Sequence, residues 1–153
     1  MKWLLLAVAV LAVGFVVLFA VLAVLSQRPP ELGLRDGRLL PCRYRSNCVS
    51  TEDTANPRPE APFAVRGDPE AALDRLARIV AAQPRTRIIA RQPGYLRAEF
   101  RSRLFRFVDD LEARVDPATG VLQVRSGSRV GRGDHGVNRA RIQELRLLFE
   151  GGA

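Results

Sequence analysis

The sequence predicts an α+β protein: an N-terminal transmembrane helix, then a small antiparallel sheet of about four strands covered by two helices. Three observations lead there. A run of 23 residues, Trp3 to Leu25, carries no charge. Beyond a proline-rich stretch, the apolar spacing reads helix, four strands, helix. The strands are joined by short turn signals, and strands joined so tightly pair antiparallel. A length of 153 residues holds one membrane segment and one small domain, not two full domains. The expected division is an anchor over 1–25, a linker over 26–62 and an α+β domain over 63–153.

At 1.5 Å per residue the apolar run spans about 34 Å, against a hydrocarbon core of roughly 30 Å. It is apolar all round, unlike an amphipathic surface helix. Lys2 and Trp3 stand where a snorkelling charge and an interfacial anchor belong. The rival is a cleaved signal peptide, whose apolar region runs about 7–15 residues and ends at small residues. This run is longer, and Val21-Leu22-Ala23 and Val24-Leu25-Ser26 are imperfect cleavage sites, so an uncleaved anchor is expected. Arg28, Arg35, Arg38, Arg43 and Arg45 after the run argue for a cytoplasmic domain, although long domains translocate largely regardless of charge.

Residues 26–62 hold six of the ten prolines, Pro29, Pro30, Pro41, Pro57, Pro59 and Pro62, and no apolar period, which reads as an extended tether. Within it, Cys42 and Cys48 have a spacing that can close a small loop, worth roughly 2 kcal/mol when cross-linked. A redox pair is usually C-x-x-C at a helix start, and two thiolates without further ligands make a poor zinc site. A structural disulfide is expected, which requires an oxidising compartment and opposes the charge argument on orientation.

The first domain helix opens at Asp68-Pro69-Glu70: an N-cap, a proline at the first position and an acid in the first turn. Leu73, Leu76, Ala77 and Val80 form its buried stripe, and Gln83-Pro84 ends it. Strands follow over 87–91 and 95–101, joined by Gln92-Pro93-Gly94, whose Pro-Gly pair suits a type II turn. Leu96, Ala98 and Phe100 face one way; Tyr95, Arg97, Glu99 and Arg101 face the other. The apolar phase then flips to odd positions, Phe105, Phe107, Leu111, Ala113 and Val115, which requires a turn or bulge near 102–104. Asp116 to Gly120 make the next turn and 121–125 the fourth strand. The last helix runs over 138–149, with Ile142, Leu145, Leu148 and Phe149 inward.

Two features break this pattern. Asp109 falls on the apolar phase, where an isolated charge is very costly and must be paired. Residues 125–141 crowd five arginines and four glycines into 17 positions, too much punctuation for plain secondary structure. Arg125 or Arg129 can pair with Asp109 or Asp110 through a guanidinium fork. Asp134 or Asn138 can cap the last helix, and the glycines permit positive φ before it. The same loop, glycine-rich and leading into a helix N-terminus, can also bind phosphate or carboxylate. The candidate ligand-binding residues are therefore Asp109, Asp110, Arg125, Ser126, Ser128, Arg129, Asn138 and Arg139.

Catalytic signals are weak. Ser126 and Ser128 lack a nucleophile elbow, and His135 is the one histidine. Asp109 and Asp110 point to opposite faces of a strand, so they are not an obvious acid–base pair. Arginines beside Asp109, Asp110 and Asp134 oppose a metal, and no cofactor is expected. Arg132-Gly133-Asp134 matches an adhesion tripeptide too short to carry weight. Residues 28–153 hold 23 arginines and 16 acids, a net +7, but without aromatic interleaving or a nucleic-acid motif. Anionic lipid headgroups beside the anchor are the more natural partner.

Four segments carry a family likeness: Cys42…Asn47-Cys48-Val49-Ser50; Phe105-Arg106-Phe107-Val108-Asp109-Asp110; Val124 to Gly131, reading V-R-S-G-S-R-V-G; and Gly136-Val137-Asn138-Arg139 with Arg141-Ile142. In this order they resemble the family catalogued as domain of unknown function 1499, over about 39–149. The resemblance implies a small domain, usually in an envelope or lumen, with no established activity, cofactor or catalytic residue to carry over. It supports export over the flanking charges. His135 stands where that family more often has an aliphatic residue, which counts against a catalytic histidine.

The expectation is a single-pass envelope protein, anchored in the inner membrane with a periplasmic domain. That domain works by binding an anionic lipid, glycan or protein partner rather than by catalysis. The alternative is a hydrolase on an anionic envelope substrate, with Asp109 or Asp110 as acid–base group and an arginine clamp.

Overall fold

The computed structural model describes residues 1–56 and 59–151; Pro57, one of the linker prolines, and the last two residues of the expected domain lie outside them. Helix α1 (Lys2–Ser26) is exposed along nearly its whole length, and it is long and apolar enough to cross a membrane. A two-stranded hairpin follows, β1 (Leu34–Arg35) and β2 (Arg38–Leu39). Then come β3 (Cys48–Ser50), α2 (Pro69–Ala81), β4 (Thr86–Gln92), β5 (Tyr95–Arg101), β6 (Val108–Val115), β7 (Leu122–Ser128) and α3 (Val137–Gly151). The main sheet is antiparallel throughout, in the order β3-β7-β6-β5-β4. The α+β class is as expected.

The sheet has five strands rather than about four. The extra one, β3, comes from the stretch read as a tether, and it pairs Cys48 with Gly127 and Ser50 with Arg125. Its three residues are too few to show an alternation, and only the partner edge of β7 makes them a strand. The β1–β2 hairpin was also unexpected. Asp36 and Gly37 both have positive φ, 53° and 74°, as a two-residue primed turn requires.

Elsewhere local chemistry and packing agree. The Asp68 carboxylate accepts from the Glu70 and Ala71 amides and caps α2. Gly94 has φ 72° in the β4–β5 turn. Leu96 pairs with Ala113 and Ala98 with Leu111, so even positions of β5 and odd positions of β6 share one face. The flip of phase falls in the 102–107 loop. That apolar face is covered by α2, through Leu73, Leu76 and Val80, and by α3, through Ile142, Leu145 and Phe149. Leu148 lies at the edge of that stripe and is exposed, against expectation. Phe105 and Phe107 do not join the core either: their rings pack on Phe19 of α1, at 4.8 and 5.9 Å between centroids.

Candidate functional site

The other face of the sheet carries Tyr95, Arg97 and Glu99 from β5, Asp110, Glu112 and Arg114 from β6, and Arg125 from β7. In an open sheet these would face water. Here Glu112 is fully buried and Asp110 is 2% exposed, because the chain between α1 and β3 lies across them. Glu112 accepts from the Gly33 amide (2.8 Å), the Tyr95 hydroxyl (2.7 Å) and Arg125 Nη1 (3.0 Å). Asp110 accepts a bidentate pair from Arg129, Nε at 2.7 Å and Nη2 at 2.8 Å, and a third bond from Arg97 at 3.1 Å. Arg129 also donates to Glu99 at 2.7 Å. Its remaining nitrogen, Nη1, lies 3.2 Å from the Ser26 carbonyl and 3.4 Å from that of Gln27. A single guanidinium thus joins two acids on neighbouring strands to the C-terminal end of α1, where the helix dipole favours a cation.

These contacts set the local ionisation. Burial would raise the Glu99 carboxyl, but hydrogen bonds from Arg129 and Arg101 outweigh it and hold the group below its ordinary value. Burial would likewise lower Arg129, but its bonds to Asp110 and Glu99 raise it. The Tyr95 phenol is pushed well up, by burial first and then by donation to Glu112.

The remaining expected residues lie on the opposite side of the sheet. Asn138 is fully buried at the start of α3. Its amide nitrogen lies 3.0 Å from the Asn47 carbonyl and 2.9 Å from Ser128 Oγ, and its oxygen accepts from Ser126 (2.7 Å) and Arg141 (2.6 Å). Asp134 caps the helix by accepting from the Gly136 and Asn138 amides. Those bonds overcome burial and depress its carboxyl. The partner of Asp109 is neither Arg125 nor Arg129 but Arg141, at 2.7 Å. Arg141 also lies over the Phe100 ring, 4.5 Å from its centroid. Arg125 and Arg129 sit on the far face and cannot reach Asp109. Arg139 points elsewhere again, pairing with Glu60.

The eight expected residues therefore form two clusters and one outlier rather than one site. Asp110, Arg125 and Arg129 share the polar face; Asp109, Ser126, Ser128 and Asn138 gather at α3; Arg139 stands apart. Sequence reading missed Glu99, Glu112, Arg97 and Arg141. Arg141 follows Asn138 by three, a spacing that shares a helix face. The others stand at alternate positions of adjacent strands, where Arg97 lies opposite Glu112 and Glu99 opposite Asp110.

Two cavities open beside the polar face. One of about 310 Å³ is lined by Arg43, Tyr44, Asp110, Arg125 and Arg129. A larger one of about 540 Å³ is lined by Arg35, Arg38, Arg43 and Arg45, and shares Leu40 and Pro41 with the first. Arg38 is paired with Glu52 and Arg45 with Asp53. Cys42 and Cys48 form a disulfide at the edge of both cavities, as expected. Among the described residues no group of three or more His, Cys, Asp or Glu side chains is placed to hold a metal.

These features define a class: a small α+β domain joined to an apolar helix able to anchor in a membrane, with its second sheet face built from buried carboxylate–arginine pairs. Within that class, the chain belongs to the family described as Protein of unknown function (DUF1499), whose model matches residues 38–149. The resemblance carried by the four motifs is thereby confirmed. No curated protein and no solved structure matches the chain significantly.

Proposed function

We propose that this is a single-pass protein of the cell envelope, anchored in the inner membrane with its domain in the periplasm. The domain works as a non-catalytic module that takes an anionic group, from a ligand or a partner, in the cleft over the polar face. One observation carries this reading. The acids that catalysis would need are occupied: Asp110 and Glu112 each accept three bonds from the protein's own donors. By contrast Arg35 and Arg43 line the cavities without an acidic partner among the described residues. Glu31 and Asp36 also line these cavities, but the acids on the sheet itself are saturated, and the spare guanidinium groups beside them favour an anion. The hydrolase reading has less support, since Asp109 and Asp110 lie on opposite faces and each is held by arginine.

The disulfide supports export, because such a bond persists in oxidising compartments. Labelling intact cells with a membrane-impermeant maleimide, with and without reductant, tests the address: Cys42 and Cys48 should react only after reduction. Free thiols reached only after lysis would place the domain in the cytoplasm. Binding is read by titrating the full chain in uncharged nanodiscs with inorganic phosphate, where Arg43→Gln should weaken a saturable response. A response that is absent, or unchanged in the variant, removes the cleft from consideration.

A further inference from the structure

We infer that the loop over 102–107, between β5 and β6, is a second membrane attachment, a wedge set into the leaflet beside α1 with its arginines on anionic headgroups. The inference rests on α1 spanning the bilayer and adds a contact that reading does not contain. Its occupant is lipid, argued from continuity with the anchor. Phe19 lies seven residues before Ser26, about 10 Å back along the helix axis at 1.5 Å per residue. The apolar run ends at Leu25, so Phe19 sits well below the edge of the hydrocarbon. Phe105 packs on that ring at 4.8 Å and Phe107 at 5.9 Å, and the Phe15 ring lies 4.3 Å from it. Side chains that meet Phe19 from the loop must themselves enter the leaflet.

Three further features fit a wedge and not a solvated turn. Leu104, at the tip, is 79% exposed. Arg103 and Arg106 flank the Leu104-Phe105 pair and have no acidic partner among the described residues. They stand where long side chains can rise to lipid phosphates while their stems stay in apolar surroundings. The loop also closes its own backbone: the Ser102 amide donates to the Phe107 carbonyl and the Phe107 amide to Ser102 Oγ, both at 2.9 Å. Such closure is needed near hydrocarbon, where unsatisfied backbone groups are costly. Depth is limited by the docking of the helix end. The Val108 amide donates to Ser26 Oγ at 3.2 Å, and the Gln27 side chain donates to the Arg106 carbonyl at 3.0 Å. The loop backbone therefore rides at the headgroup level with the Leu104, Phe105 and Phe107 side chains reaching down, as amphipathic interfacial segments do. Held at two points, the domain stands with the 116–120 turn, at the other end of β6, away from the bilayer.

The test uses the full chain in nanodiscs containing anionic lipid, with the native disulfide intact and one introduced cysteine carrying an environment-sensitive fluorophore. Separate variants Leu11→Cys, Leu104→Cys and Thr119→Cys are exposed to spin-labelled lipids with quenchers at different depths, and to aqueous iodide. Leu104 and Thr119 are exposed, so neither substitution disturbs packing. Position 104 should be quenched several-fold by shallow lipid quenchers and protected from iodide. Position 119 should show the reverse, and position 11 should respond to deep quenchers. Quenching at 11 with a fully iodide-accessible 104 overturns the wedge while leaving the anchor standing. A failure at 11 overturns the anchor itself. Protection of 104 from both quenchers marks a protein partner or a second copy and equally overturns the lipid assignment.

Discussion

The two faces of the central sheet are both largely covered and chemically opposite. One is an ordinary apolar layer, Leu96, Ala98, Leu111, Ala113, Leu122 and Val124 against two helices. The other consists of ion pairs, Asp110, Glu99 and Glu112 held by Arg129, Arg97 and Arg125 under an irregular lid. The apolar face gains from burial itself and tolerates imprecision. The polar face gains little from the pairs as such, because desolvation offsets their attraction, but it punishes any unpaired member severely. The consequence is positional. Arg129 ties β5, β6 and the end of α1 together through directional bonds that an apolar contact cannot supply, so the domain is fixed to α1 and does not swing from a tether.

The sharpest way to break this comparison is to remove one member from each face. Arg129→Leu leaves Asp110 and Glu99 buried without their main counter-charge and should cost about 3–5 kcal/mol. Leu111→Ala should cost about 2–5 kcal/mol through the cavity it opens. Urea denaturation of the full chain in detergent, followed by near-ultraviolet circular dichroism, measures both. If the second face were solvated, as plain alternation suggests, Arg129→Leu would fall within about 0.5 kcal/mol of the parent.

That alternative is what the strand pattern alone implies, and it shows where the sequence was legible. Asp68-Pro69-Glu70 announced α2, and Leu96, Ala98, Leu111 and Ala113 announced the core face, because each signal is local or repeats with a fixed period. The family was also legible, through four motifs in order. Glu112, by contrast, sits between Leu111 and Ala113 as any solvent-facing acid would. What buries it is Gly33, 79 residues earlier, and alternation cannot distinguish water from a polar lid. Asp109 was recognisable as needing a partner because it broke the apolar phase. Its partner was not, since Arg141 reaches it from a helix whose placement only the folded chain defines. Phe105 and Phe107 obeyed the right phase for the wrong neighbour, α1 rather than the core. The Asp36-Gly37 turn carries a local signal, but the two-residue strands it joins are too short to show alternation.

A smaller effect probes how closely the lid sits. An added Cβ at Gly127 would lie 3.0 Å from Cys48 Sγ and 3.2 Å from Cys48 Cβ, on the polar side of β7 beneath the disulfide. The sulfur belongs to a closed loop and cannot rotate away. Gly127→Ala should therefore destabilise by about 1–3 kcal/mol, as overpacking does, measured by the same denaturation. With the disulfide reduced in both proteins, the variant should recover part of its deficit relative to the parent, because the loop is then free to shift. Without such recovery, the clash lies with the β3 backbone rather than with the cross-link.

The smallest expected effect separates the faces by pH. Glu99 has a folded-state carboxyl below its ordinary value, held there by Arg129 and Arg101 against the opposing effect of burial. A depressed carboxyl stabilises the fold above its unfolded value, near ~4.3 for glutamate, and that contribution disappears as pH falls through the folded value. Asp134, depressed by the amides it caps, adds a similar loss from an unfolded value near ~3.9. Stability should therefore be flat through neutral pH and decline below roughly pH 4.5. Glu99→Gln should make that decline shallower, because the unfolded chain no longer takes up a proton there that the folded chain resists. Asp134→Asn should do the same from the α3 side. Denaturation midpoints across the acid range decide between the two. An acid slope that Glu99→Gln leaves untouched would mean that the polar face keeps its charges at no pH-dependent cost, leaving the helix cap as the acid-sensitive element.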